Sequence, residues 1–569
     1  MINTLIMHDA KCAMLYAQCY IRNAICDSIC AYLDLFIDLL IVLFILEECL
    51  MKLKSKLLTA GLIATAVVPL AACGNGGSNQ GGESTGEKTF VYGTTGYGKD
   101  MLDVGTNPHD GYTGWSTLRY GVGETLFKYD DSMQIQPWLA KSYEFIDNNH
   151  VKIQLRDDVT FSSGRKMDAT AVKECLDDLI KVHDRASSDL KIANITTDGD
   201  YTIIIETSEP TPAIINFLSD PYGCIIDMSV PEKDMIVAGT GPYIATSVSD
   251  TEIDLVKNTN YWGGDVKVDK VVVKGIVDGT TLTNALQNGE LDATYGLPYA
   301  SYSIFENNAD YNIDYVETSR QFFGKFNYHT AALQDQNVRK AISMGIDKDG
   351  FVKTLLNGHG ATSKGPFPSS FKFGDDTVNT VSYDPEGAKA LLEQSGWVDT
   401  DDDGIREKNG QKLSLRWVTY PGRQELPLLA ESAQATLKDI GVDIQVNSTQ
   451  DHKSLWKSGQ YDIYVSAMVT APTGDPEYFF NTHALTGASS NYEGYSNAKL
   501  DELAKTLHGT FDTAERGKIA TQMSQIILDD NAYFFASHLK MGIVSKAGVS
   551  GIAPHPCDYY EITADLDKK

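Results

Sequence analysis

The sequence predicts an α/β architecture built as more than one lobe, and three observations predict it. Its 569 residues are several times the usual domain size of roughly 100 to 200. Hydrophobic residues at 42% and charged residues at 22% are ordinary globular values, which exclude a collagen, a disordered tail or a multi-span membrane protein. Strand-like and helix-like patterns then alternate through the body, without repeats or low-complexity linkers after residue 88, as they do in packed α/β lobes.

Lys and Arg number 48 against 76 Asp and Glu, a net charge of −28. Such a field repels phosphate backbones, so nucleic acid is not an expected partner. Of the nine cysteines, Cys12, Cys19, Cys26, Cys30, Cys49 and Cys73 precede the folded body. Cys175, Cys224 and Cys557 are too sparse for a disulfide framework or a CxxC metal site.

Met51 begins a second, complete N-terminus. Lys52, Lys54 and Lys56 give a positive start, Leu57 to Leu70 an apolar run, and Leu70-Ala71-Ala72-Cys73 a small-residue cleavage box ending in cysteine. This resembles a bacterial lipoprotein signal peptide. The resemblance implies cleavage after residue 72, a diacylglycerol on Cys73, and a flexible Gly/Ser/Asn-rich spacer through residue 88 that lets a tethered domain stand off a membrane. A plain transmembrane anchor would need about 20 apolar residues, more than this run supplies. Residues 1–50 lie upstream of the signal and are read as a mistaken start or an extension.

In the body, Asp168 caps an amphipathic run in which Val172, Cys175, Leu176, Leu179 and Ile180 recur at helical spacing, which makes Cys175 a core residue. Asp384-Pro385 opens a second helix with a cap and a first-turn proline, and Gly396 closes it. Asn409-Gly410 joins two strand-like runs as a tight hairpin. Leu428 to Ile440 reads as a helix ended at Gly441 and followed by a strand from Val442 to Val446. Asp512 and Glu515 frame a capping box for a helix running toward Leu528.

Several segments together resemble the family 5 extracellular solute-binding proteins of peptide, nickel and opine ABC importers. They are Tyr120 to Phe127, Pro137 to Tyr143, Leu155 to Phe161 with Gly164, Gly239-Thr240-Gly241-Pro242-Tyr243, Asn260 to Gly264, Val338 to Ile342 and Tyr383 to Glu386, in family order. Locally, Gly239 and Gly241 suit a tight crossover turn fixed by Pro242, and Tyr261-Trp262 suit a large buried anchor. The resemblance implies a two-lobe periplasmic-binding-protein-like fold of the class II, large cluster C type, with the ligand cleft at the hinge. The expected boundaries are 89–326 for the first part of lobe I, 327–538 for lobe II and 539–569 for the completion of lobe I. It also implies a monomer on the outer face of the cell membrane that serves an ABC permease and its ATPase.

Ala471-Pro472-Thr473-Gly474-Asp475-Pro476 resembles the corresponding stretch of nickel-type members, with one residue added. Pro472 stands where peptide-binding members carry the aspartate that receives the peptide ammonium. The expected ligand is therefore a nickel chelate, with a peptide as the alternative. Carboxylate-rich chelates suit arginines, because a guanidinium grips a carboxylate bidentately. Carried over residue by residue, Arg185 falls on a pocket arginine, Tyr112 and Trp115 on pocket aromatics, Lys457 on a second cation and Asp475 on the Asp-Pro pair. His483 lies within a turn or so of a metal-contacting histidine, although a lone surface histidine is the commoner case. A second arginine expected near Pro221 to Cys224, and tryptophans expected near Ser188 and Val469, are absent.

Gly93 to Lys99 has the spacing of a phosphate-binding loop, but Asp100 stands where Ser or Thr must hold Mg²⁺, and Gly105 and Pro108 spoil the following helix. Asp399, Asp401, Asp403 and Gly404 match the first half of a calcium loop, yet position 12 is Gly410 in place of a bidentate Glu. That stretch is read as a solvated acidic turn, and no cofactor is expected. GxSxG, HExxH and spaced Cys/His clusters are all missing, so an enzyme is not expected and a secreted hydrolase is only the alternative class.

Overall fold

The computed structural model describes residues 87–99 and 104–569. The upstream segment, the signal peptide, Cys73, nearly all of the spacer, and Asp100 lie outside the described residues. Among those described, no helix is long and apolar enough to cross a membrane.

The first half of the chain supplies β1 (Thr89–Thr94) and then a small antiparallel sheet of its own. That sheet runs β2-β3-β5-β4, from β2 (Ala140–Phe145), β3 (His150–Leu155), β4 (Ile192–Thr197) and β5 (Thr202–Thr207). Between β3 and β4 come α1 (Ala169–Val182) and α2 (Ala186–Leu190). The Asp168 carboxylate accepts from Ala171 N at 2.8 Å, the expected cap of α1. Val172, Cys175, Leu176 and Leu179 bury the face of α1 against Val151, Ile153, Ile203 and Ile205. Burying each such side chain stabilises by roughly 1.5–3 kcal/mol.

The main sheet comprises eleven strands among the described residues. At one end lie β6 (Tyr243–Val248), β7 (Glu252–Lys257), β8 (Lys270–Gly275), β1 and β9 (Ala293–Tyr295). Two long strands, β10 (Tyr311–Phe326) and, near the C-terminus, Tyr533–Lys546, carry the sheet across the molecule. The second half of the chain adds α3 (Gln336–Gly345), α4 (Pro385–Gln394), the hairpin β11 (Glu407–Lys408) and β12 (Gln411–Lys412), β13 (Ser414–Thr419), α5 (Glu425–Lys438), β14 (Asp443–Ser448), β15 (Ile463–Val469), α6 (Ala498–His508) and α7 (Thr513–Asp529). With Tyr533–Lys546 as β16, the sheet order is β14-β13-β15-β10-β16-β9-β1-β8-β7-β6. The short strand Gly360–Thr362 pairs with β16 to the side. Parallel and antiparallel pairings are mixed in this two-lobe α/β fold, and β10 and β16 run side by side through the middle of the main sheet. Their pairing slips between Glu317 opposite Lys540 and Gln321 opposite His538. The extra residues on β10 bulge out at Thr318 to Arg320, and a bulge bends a strand and re-aims its side chains.

Three local readings change. The helix read from Leu428 begins at Glu425, because Pro427 sits in its first turn, where no backbone donor is needed. Gly239 and Gly241 serve close approach more than turning: a Cβ would stand 2.1 Å from Val122 O and 2.2 Å from Gly121 O. Tyr261 and Trp262 are half-buried clamps on a deeper group, Glu124. Tyr261 Oη and Trp262 Nε1 each donate to its carboxylate at 2.7 Å, and Thr240 Oγ1 donates at 2.9 Å. Burial pushes the Glu124 carboxyl up to about 7 against those three bonds.

Candidate functional site

The site begins where α1 ends. His183 Nδ1 accepts from the backbone N–H groups of Arg185 and Ala186 at 3.2 and 3.1 Å, while its Nε2 lies 3.1 Å from Gly111 O. That bonding sets a neutral Nε2–H tautomer and starts α2 at Arg185. Burial lowers the His183 pKa, in keeping with the neutral form.

The Arg185 guanidinium donates through Nε to Asp189 Oδ2 at 3.0 Å and through Nη2 to Asp220. It lies 5.0 Å from the ring of Tyr222 and 5.8 Å from that of Tyr478, which belongs to the second half of the chain. Burial alone would lower the Arg185 pKa, but Asp220, the two tyrosines and Asp189 outweigh it, and the pKa is raised. Burial pushes the Asp189 carboxyl up to about 6 and raises Asp220 as well, with Arg185 opposing both. Tyr222 Oη donates to Asp189 at 3.3 Å. A planar cation held between two carboxylates and two ring faces can take a small zwitterionic group, its carboxylate on the guanidinium and its amine displacing the Arg185 bond to Asp189 or Asp220. Tyr112 is 58% exposed.

Trp115 belongs to an adjoining cluster. Its ring meets Tyr559 edge-on at 5.0 Å and lies 4.6 Å from the Arg119 guanidinium. Asp558 is the hub there. It accepts from Arg119 Nη2 at 2.7 Å, from Arg320 Nη2 at 2.8 Å and from Tyr295 Oη. The C-terminal segment, helix Gly114–Arg119, β9 and the bulge of β10 are tied together through this one carboxylate.

Other expected site residues go elsewhere. Asp475 is buried and gripped by Arg516, with Nη2–Oδ1 at 2.7 Å and Nε–Oδ2 at 3.0 Å. Arg516 also reaches Glu477 at 3.0 Å, and His508 Nδ1 lies 2.7 Å from the same Glu477 carboxylate. Neither carboxylate is left for a ligand in this arrangement. Lys457 is exposed in the last turn of helix His452–Lys457, and no contact among the described residues joins it to the Arg185 cluster. His483 is no surface histidine: it is fully buried, its ring packed on Phe323 and Phe479 at 5.8 and 5.6 Å. Neither ring nitrogen has a hydrogen-bond partner. Burial, aided by Lys325, holds its pKa well below the usual value.

Asp189, Asp220, Tyr222, Tyr478, Arg320 and Asp558 were not singled out from the sequence. Asp220-Pro221 carried a signal, since it has the form of a cap followed by a first-turn proline. The others sit on segments whose meeting only the fold arranges.

A family model of the bacterial extracellular solute-binding proteins, family 5 middle region, matches residues 134–491. The nickel-binding protein NikA of Staphylococcus aureus is 27% identical over 421 residues, covering 73% of this chain and 83% of that protein. The nickel-binding periplasmic protein of Escherichia coli is 26% identical over 466 residues, covering 76% and 87%. Among solved structures, that of NikA from Staphylococcus aureus in complex with Ni(L-His)2 superimposes with a TM-score of 0.73 at 23% identity, covering 85% of this chain and 100% of that one.

Proposed function

The chain belongs to the family 5 extracellular solute-binding proteins, and from that premise we propose that it captures a small nickel chelate bearing amino-acid carboxylates for delivery to an ABC importer. Proteins of this family act outside the cytoplasm and hand their ligand to a permease driven by an ATPase. The observation that carries the ligand reading is Arg185, a cation set between the rings of Tyr222 and Tyr478, which come from the two halves of the chain. A chelate of that kind offers carboxylate oxygens to the guanidinium, amine donors to Asp189 and Asp220, and a flat face to the tyrosines. The nickel is cargo in this scheme, and the protein's task is capture and release without bond-making.

In the same proposal the first lobe spans residues 89–326 with 539–569 and the second 327–538. Closure bends β10 and β16 at the Thr318–Arg320 bulge and takes the ligand out of water, where charged contacts strengthen. Cys73 would carry the lipid anchor of a monomeric lipoprotein.

Calorimetry with nickel plus histidine tests the ligand. Removing one partner of a buried charge pair costs about 3–5 kcal/mol, a loss of more than about a hundredfold in affinity. Arg185→Ala should lose the chelate to that extent, while di- and tripeptides bind wild type poorly. The second reading, a peptide ligand, is favoured by one observation: two carboxylates flank Arg185 and could receive an ammonium. Tight peptide binding that survives Arg185→Ala and falls with Asp189→Asn would establish it and discard the chelate.

A further inference from the structure

We infer that Asp399, Asp401 and Asp403, in the loop before the β11–β12 hairpin, and Glu407, its first residue, form a calcium site apart from the Arg185 cluster. The sequence pattern looks for its closing carboxylate at position 12 of a calcium loop, which is Gly410, and finds none. The fold supplies one from position 9. All four residues bring a carboxylate oxygen within 4.8 Å of one another.

The acidic cluster is not the whole case. Glu407 is only 9% exposed, and while one of its oxygens accepts from Thr400 N and Oγ1 at 2.9 and 3.0 Å, its Oε1 is buried with no donor at all. Asp399 is half-buried and shares the pattern: Oδ2 accepts from Gly404 N at 2.9 Å, and Oδ1 is buried and bare among the described residues. A buried carboxylate oxygen without a donor carries its full desolvation penalty, so two of them on members of one four-carboxylate cluster call for a cation.

The nearest cations do not fill that role. Arg406 is committed to Ile440 O, Trp397 O and Glu393. Lys412 reaches Asp403 and stands 3.4 Å from Asp401, the two exposed members, leaving the buried oxygens of Asp399 and Glu407 untouched. Calcium fits the remaining chemistry. It takes oxygen ligands at about 2.3–2.6 Å, so two oxygens across one ion lie up to roughly 5 Å apart, whereas magnesium keeps its waters and avoids all-protein cages. Gly404, at φ +88°, gives the sharp turn such a loop needs at its sixth position. The ion would fasten the loop after α4 to the hairpin and stiffen this side of the second lobe.

The test is calcium titration of the whole protein by calorimetry, with thermal unfolding in millimolar calcium against EDTA. Wild type should bind one ion, and its Tm should rise. Asp401→Asn with Asp403→Asn alters exposed positions only and should weaken binding by about tenfold or more, since affinity follows ligand charge. Lys412→Ala should strengthen it, because a competing cation is gone. Absence of binding heat and of any Tm shift in wild type would overturn the site. So would a calcium effect of equal size in the double variant, or Lys412→Ala binding no more tightly than wild type.

Discussion

The hydroxyl of Tyr129 donates to the carbonyl of Thr473 at 2.5 Å, joining the early part of the chain to the Ala471–Pro476 loop. Asn216 Nδ2 donates to the same carbonyl at 2.8 Å. In the proposed division into lobes they bridge residues 89–326 and 327–538, and would act as a latch on the closed form. Tyr129→Phe combined with Asn216→Ala strips the carbonyl of both donors, a cost of about 1–3 kcal/mol or roughly fivefold to a hundredfold in the closure equilibrium. The double variant should bind nickel plus histidine more weakly by up to that factor. Small-angle scattering should show a larger radius without ligand that contracts at saturation. An unchanged affinity and profile would remove this contact from the closing mechanism.

Glu124 sets a pH dependence whose sign can be worked out. Burial raises its carboxyl from the ordinary value of 4.5 to about 7 in the folded protein. Between those pH values the folded state holds a proton that the unfolded chain has released, so this group's contribution to stability falls as pH rises through the window. The loss at neutral pH and above is roughly 3 kcal/mol. Glu124→Gln keeps all three partners, since the amide oxygen can accept from Trp262 and Thr240 while the nitrogen donates to the Tyr261 hydroxyl. Chemical denaturation across that range should show wild type losing stability and the variant staying flatter. Parallel curves would assign the dependence to other groups.

His483 gains nothing from its polarity where it sits. A neutral imidazole has one N–H, here unsatisfied among phenyl rings, and an unmet buried donor costs about 1–3 kcal/mol. His483→Leu should therefore hold or raise the Tm, with nickel–histidine binding intact. A loss of chelate affinity without a loss of stability would return His483 to the list of ligands.

Labelling cells with a fatty-acid analogue should mark the protein, and Cys73→Ala should abolish the mark and release it from the membrane, because the thioether needs that sulfur. Continued membrane attachment of the variant would point to a different anchor.

Much of the local structure was legible in the sequence because its causes are local. The Asp168 and Asp384 caps, the Asn409-Gly410 hairpin and the Gly441 stop each depend on a few adjacent backbone groups and one side chain. Asp512 shows the limit even there: it caps Glu515 N at 2.8 Å, but the Glu515 carboxylate turns away to Lys518 at 2.7 Å instead of completing the capping box. Family membership was readable for a related reason, since short blocks shaped by turns and close packing keep their residue types in order.

Partnership between charges was decided by the tertiary structure alone. The family resemblance singled out Arg185, Asp475 and His483 as groups able to bind something. It could not say that Asp475 would meet Arg516, 41 residues away, that Asp189 and Asp220 would flank Arg185, or that His483 would face phenylalanines. Nor could it say that Asp558, near the end of the chain, would gather Arg119 and Arg320. The physical reason is that a side chain's charge state and availability depend on its burial and on what lies within a few ångströms. In a mixed sheet those neighbours are set by which distant strands pair, here β10 with β16.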